Sequence, residues 1–79
     1  MVATQPIKVS IIEDDDWIRE NLAAQISKRE GFICGRTYGS GEAALSEIQK
    51  DVPDVILVDI NLPKMNGIEF LKQARAKFP

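Results

Sequence analysis

Residues 54–71 read DVILVDINLPKMNGIEFL, and this stretch decides the architecture. Val55 to Val58 is an unbroken apolar run rich in β-branched residues, the pattern expected of a strand covered on both faces. Asp59 ends the run and a loop follows. Asn66 and Glu69 then stand at the spacing of a capping box, which marks the start of a helix. Ile68, Leu71 and Phe78 are expected to form the apolar stripe of that helix.

The same strand-then-helix order repeats upstream. Ile7, Val9 and Ile11 alternate, and Ile12 closes a first strand. From Asp16, a candidate N-cap, the period changes: Ile18, Leu22 and Ile26 recur every four residues, on one face of a helix. Gly31 stands where the end of that helix favours a left-handed residue. Phe32 to Tyr38 is a second, less apolar strand, expected at a sheet edge. Gly39-Ser40-Gly41 turns the chain, and Ala44, Leu45 and Ile48 indicate a short second helix capped by Ser40. The order βαβαβα predicts an α/β fold, with a parallel sheet and right-handed crossovers.

Composition narrows the function. The 79 residues are 44% hydrophobic and 28% charged, the balance of one small globular domain. A formal net charge of -2 gives no reason to expect nonspecific attraction to nucleic acid or anionic membrane. One cysteine, Cys34, excludes an intrachain disulfide, and the lack of histidine excludes His-based triads and His metal ligands. The longest unbroken apolar run, Val55 to Val58, is far too short to cross a membrane. A cytoplasmic location is the default expectation.

Two strands end in acid. The first runs into Glu13-Asp14-Asp15-Asp16, and the third ends at Asp59. Taken by itself, the acidic run also suits a solvated helix N-terminus, where negative charge is favoured. In a sheet of order 2-1-3, however, the first and third strands are neighbours. Glu13, Asp14 and Asp59 would then meet at the carboxyl ends of the strands, where open α/β sheets bind ligands. Repulsion among them is tolerable if a cation sits between. Oxygen ligands without His or Cys favour a hard ion, Mg²⁺ or Mn²⁺.

IIEDDDWIREN, residues 11–21, together with DVILVDINLPKMNGIEFL, resembles the receiver domain of bacterial two-component response regulators. The second stretch is the more specific. It has an aspartate at the end of an apolar strand, Pro63 four residues on and Gly67 eight residues on. The acids followed by Arg19 and the stretch YGSGEAAL support the likeness, which extends from Ile7 to Phe78. It implies a flavodoxin-like (receiver) fold in which Asp59 is the phosphoacceptor, receiving a phosphoryl group from a sensor histidine kinase or a small phosphodonor. It implies Mg²⁺ held by Glu13, Asp14, Asp59 and the backbone carbonyl of Asn61. Asp59 is then a modified residue of a signalling domain rather than part of a turnover enzyme.

The family's receivers have five βα units in strand order 2-1-3-4-5, and residues 1–79 correspond to the first three, the N-terminal part of such a domain. The Ser or Thr, the Lys and the aromatic switch residue of the last two strands have no counterpart here, because Lys64, Lys72 and Lys77 lie in other segments. Phosphotransfer to Asp59 in this chain is therefore expected to be slow or absent, with Mg²⁺ binding weakened but still present. The third strand is expected to expose an apolar edge, through which copies of the chain associate. The resemblance points to a transcriptional output domain, through which alone DNA would be contacted.

Two rival functions differ in chemistry. A Mg²⁺-dependent phosphohydrolase of the haloacid-dehalogenase type needs a second acid two residues after the nucleophile, where this chain has Asn61. A receiver-like docking module that is never phosphorylated would show no metal-dependent change. Three residues have plainer readings: Trp17 packs on the surface, Cys34 is a small core residue, and Arg19 pairs with an acid on its own helix.

Overall fold

The computed structural model describes residues 5–60 and 62–77. β1 (Ile7–Ile12), α1 (Asp16–Ser27), β2 (Phe32–Tyr38), α2 (Gly41–Glu47), β3 (Val55–Val58) and α3 (Gly67–Lys77) follow in order, with a single 3₁₀ turn at Ile48–Lys50 after α2. The strands form one parallel sheet in the order β2-β1-β3. β2 is an edge strand, as its mixed polarity suggests. Val9, Ser10, Ile11 and Ile12 pair with Val55, Ile56, Leu57 and Val58, and this register brings the ends of β1 and β3 level.

Alternation along β1 sends neighbouring residues to opposite faces of the sheet. On one face, Ile12 joins Tyr38, Ala44, Ile48, Leu62 and Phe70 in a buried cluster, with Ile56, Val58, Met65 and Ala74 packed against it. This face is covered by α2 and α3. α1 lies on the other face, where its Ile26 borders a groove with Val9, Phe32, Val55 and Leu57. The N-terminal end of β1 is tied to the chain before β3: Lys8 N–H donates to the Asp54 carboxylate at 2.8 Å, and Asp54 N–H donates to the Lys8 carbonyl at 2.8 Å.

Several sequence expectations are corrected. β3 is not covered on both faces, since Val55 and Leu57 remain 45% and 42% exposed on the α1 side. The reason is geometric: α1 leans on β1 and β2 and does not reach across β3. α3 buries Gly67 and Phe70, with Ala74 beside them, whereas Ile68 and Leu71 are exposed. Its apolar stripe is thus turned away from the Ile68–Leu71 face, and Phe78 lies outside the described residues. On α1, Leu22 and Ile26 are half-buried while Ile18 is exposed. The N-cap of α1 is Asp15, whose carboxylate accepts from Ile18 N–H at 3.0 Å; Asp16 is the first helical residue. Gly31 is left-handed, with φ +90°, but it closes the turn into β2 rather than ending α1, whose last residue is Ser27. Ser40 does cap α2, accepting from Ala43 N–H at 3.1 Å. Asn66 accepts from Glu69 N–H at 2.8 Å, one arm of the expected box, while the Glu69 carboxylate faces Gln73 instead.

Among the described residues no helix is long and apolar enough to cross a membrane.

Candidate functional site

The hydrogen bonds that close the sheet also build the site. Asp59 N–H donates to the Ile12 carbonyl at 3.2 Å, and Glu13 N–H donates to the Tyr38 carbonyl at 3.0 Å. The first residue past each of β1 and β3 is therefore fixed to the neighbouring strand. Because parallel strands all end on the same side, Glu13, Asp14 and Asp59 come together there, each offering a carboxylate oxygen within 4.8 Å of the others. Glu13 and Asp59 are partly buried and Asp14 is exposed. Asn61, the fourth expected ligand, lies outside the described residues.

The turn that carries the acids is internally wired. Asp15 N–H donates to Glu13 Oε2 at 3.1 Å while the Asp15 carboxylate caps α1. Arg19 crosses beneath, its Nη1 on the Glu13 carbonyl at 2.7 Å and its Nη2 on Asp16 Oδ1 at 2.5 Å. The pairing of Arg19 with a helix acid is as expected from the sequence. Its reach to the Glu13 carbonyl was not readable, because a main-chain partner leaves no mark on side-chain spacing. Trp17, on the first turn of α1, lies at the surface and is 73% exposed.

The loop after Asp59 is held as closely. Gly67 N–H donates to the Ile60 carbonyl at 3.1 Å, Leu62 is buried, and Met65 lies against Gly41 at the start of α2. A β-carbon on Gly67 would stand 2.7 Å from the Asp59 carbonyl oxygen. Glycine is required there by contact and not by backbone sign, and the sequence signalled it only through its spacing from Asp59. Beside the acids, Ile12, Glu13, Leu22, Leu57, Val58 and Asp59 line a hollow of about 290 Å³. A larger groove of about 420 Å³, between Ile48, Val52, Ile56, Phe70 and Leu71, has mostly apolar walls and none of the three acids.

The surroundings of Glu13 hold its carboxyl pKa above the ordinary value. The Asp15 N–H pulls its pKa down, but burial, the hydrogen bond shared with Asp14 and the charges of Asp59 and Asp14 outweigh that and leave it raised. A cation among the three carboxylates would favour their ionised forms. The donor set fits a hard divalent ion: three carboxylates and no sulfur or imidazole. The three carboxylate oxygens already lie within 4.8 Å of one another, so these side chains would hold such an ion between them.

A parallel α/β sheet of order β2-β1-β3, with three carboxylates gathered at its carboxyl edge, defines an open α/β domain with a candidate cation site. Comparison with known proteins resolves the class. The chain matches the Response regulator receiver domain over residues 9–79, and it belongs to that family, the receiver domains of two-component response regulators. It is 36% identical over 78 residues to the probable C4-dicarboxylate response regulator DctR of Halalkalibacterium halodurans, covering 98% of this chain and 34% of that protein. It is 32% identical over 77 residues to a protein-glutamate methylesterase/protein-glutamine glutaminase of Anaeromyxobacter dehalogenans, covering 98% of this chain and 21% of that protein. The response regulator domain of Thermotoga maritima CheB superposes with a TM-score of 0.86 at 31% identity, covering 95% of this chain and 56% of the solved one. The chain thus spans about a third or less of these curated relatives and about half of that solved domain.

Proposed function

We propose that Asp59 is the phosphoacceptor of this chain and that a sensor histidine kinase is its phosphodonor. Support comes from one observation above all: the Asp59 carboxylate lies with those of Glu13 and Asp14 at the tips of neighbouring strands, within 4.8 Å. One Asp59 carboxylate oxygen attacks the phosphorus of a phosphohistidine. The new O–P bond forms as the P–N bond breaks, and the departing imidazole nitrogen keeps the electron pair. Glu13, Asp14 and Asp59 would hold Mg²⁺, with the Asn61 carbonyl as the further ligand that the family resemblance implies. When bound, that ion offsets the charge of the nucleophile and of the phosphoryl oxygens. Asp59 is consumed and regenerated as a signal, so the chain is not itself a turnover enzyme. Residues 1–79 make up the N-terminal part of the receiver, in the cytoplasm, controlling a transcriptional output domain.

β3 also suggests a contact between copies. Among the described residues it pairs only with β1, and Val55 and Leu57 are exposed on one of its faces. A second chain adding to this edge would satisfy its outer N–H and C=O groups.

The test is a titration of the chain with Mg²⁺, then with Mg²⁺ and beryllium fluoride, a phosphoryl mimic, followed by Trp17 fluorescence. The proposal predicts a saturable response to Mg²⁺, a further change with the mimic, and loss of that second step in Asp59→Asn. A chain that responds to neither is a docking module that works by surface contacts alone. Labelling of Asp59 by acetyl phosphate, read by mass spectrometry, is expected to be slow, because the Ser/Thr and Lys that stabilise the phosphoryl group in the family have no counterpart in these residues.

A further inference from the structure

We infer that Arg19 is a positioning residue for the metal site: its guanidinium clamps the turn that presents Glu13 and Asp14, and cation affinity depends on that clamp although Arg19 is itself a cation. The inference rests on the reading of Glu13, Asp14 and Asp59 as metal ligands and goes beyond it.

The geometry is specific. Nη1 donates to the Glu13 main-chain carbonyl at 2.7 Å, and Nη2 to the Asp16 carboxylate at 2.5 Å. The two arms therefore span the turn from its first acid to its last. Glu13 is thereby held from both sides, since its N–H is already bound to the Tyr38 carbonyl at 3.0 Å. The Arg19 side chain is only 18% exposed, whereas that of Asp16 is 80% exposed. An exposed i,i+3 pair is held loosely; a largely buried guanidinium with a second, main-chain acceptor is not. Nη1 also lies beside the β2–α2 turn, 3.5 Å from where a β-carbon on Gly39 would stand. A planar fork makes two directed bonds at once, which a lysine ammonium cannot reproduce.

Charge and position give opposite signs, and this makes the inference sharp. If Arg19 acted only as a positive charge near a cation site, removing it would tighten metal binding. If it acts by holding the turn, removing it weakens binding, because ligands freed to move must be ordered again when the ion enters.

The experiment measures Mn²⁺ affinity of the 79-residue chain by electron paramagnetic resonance, for the wild type, Arg19→Ala and Arg19→Lys. Circular dichroism confirms that each is folded at the temperature used. Arg19→Ala is expected to raise the Mn²⁺ Kd about tenfold, the low end of what losing a supporting hydrogen-bond partner costs a metal site. Arg19→Lys keeps the charge and the stem and loses the fork, and is expected to raise the Kd about threefold. It decides the matter alone if the alanine variant does not fold. Equal or tighter binding in the folded variants overturns the clamp while leaving the metal site standing. A wild type that binds no Mn²⁺ removes the site, and the clamp with it.

Discussion

The carbonyl oxygen of Asp59 stands 2.7 Å from the point where a β-carbon on Gly67 would project, with Ile60 Cα at 3.0 Å from the same point. The start of α3 is thus pressed against the backbone of the residue proposed as phosphoacceptor. The nearest atoms are main-chain atoms of Asp59 and Ile60, so a methyl group cannot be accommodated by turning a side chain. Gly67→Ala is expected to displace the Asp59 loop and to cost about 1–3 kcal/mol of stability. The urea midpoint measures the cost, and amide shifts at Asp59 and Ile60 report the displacement. Gly31→Ala is the control. There the obstacle is the φ of +90° with nothing within 4 Å, so the cost is about 1 kcal/mol and the site is undisturbed.

The inward face of α3 is tested by two neighbouring residues. Phe70 is fully buried and Leu71 is 48% exposed. Phe70→Ala is expected to cost about 3–5 kcal/mol, enough to unfold much of so small a chain, and Leu71→Ala less than about 1 kcal/mol. Equal losses would mean that Phe70 and Leu71 are buried alike and that α3 presents another face to the sheet.

At the start of α1, two adjacent aspartates have different tasks. Asp15 caps the helix, and Asp16 holds one arm of Arg19. Asp15→Ala is expected to lower stability by about 1 kcal/mol. Asp16→Ala should lower it distinctly less, because its pair with Arg19 is solvent-screened on the Asp16 side. Thermal unfolding of the two variants, side by side in the same buffer, distinguishes them.

Acid should weaken the tie between β1 and the chain before β3. Lys8 Nζ lies 2.5 Å from Asp51 Oδ1, and the hydrogen bond and charge of Lys8 hold the Asp51 pKa below its ordinary 3.8. A lowered carboxylate pKa means that the folded state favours the ionised form. Its contribution is complete above the ordinary value and is lost as pH falls through the lowered one. Asp51→Asn is therefore expected to be less stable than the wild type at neutral pH, with the gap closing below pH 3.8. A gap that widened in acid would contradict the pairing. The Asp51 side chain is 30% exposed, so the effect is small.

Much of this was legible in the sequence, for identifiable reasons. β1 and β3 announce themselves as apolar runs that end abruptly in acid, and the order of elements leaves few topologies for three parallel strands. From those two facts the meeting of Glu13, Asp14 and Asp59 follows. The face of α3 was not legible, because Ile68 and Leu71 are as apolar as Phe70. Periodicity alone cannot say which side of a helix meets the sheet when both carry large side chains. Likewise Asp15 and Asp16 are equally good caps, and only the backbone at the end of β1 chooses between them. The run Val55 to Val58 signals a strand built to be covered on both faces but says nothing of what covers it.

The central claim is that one divalent ion is shared by the acids at the tips of β1 and β3. Paramagnetic broadening by Mn²⁺ in the ¹H–¹⁵N spectrum of the chain tests it most directly. The account predicts that at substoichiometric Mn²⁺ the amide signals of Glu13, Asp14 and Asp59 disappear first, and that Mg²⁺ in excess restores them. Broadening spread evenly over outlying acids such as Glu20, Glu30, Glu42 and Asp54, with no preference for those three, would contradict it.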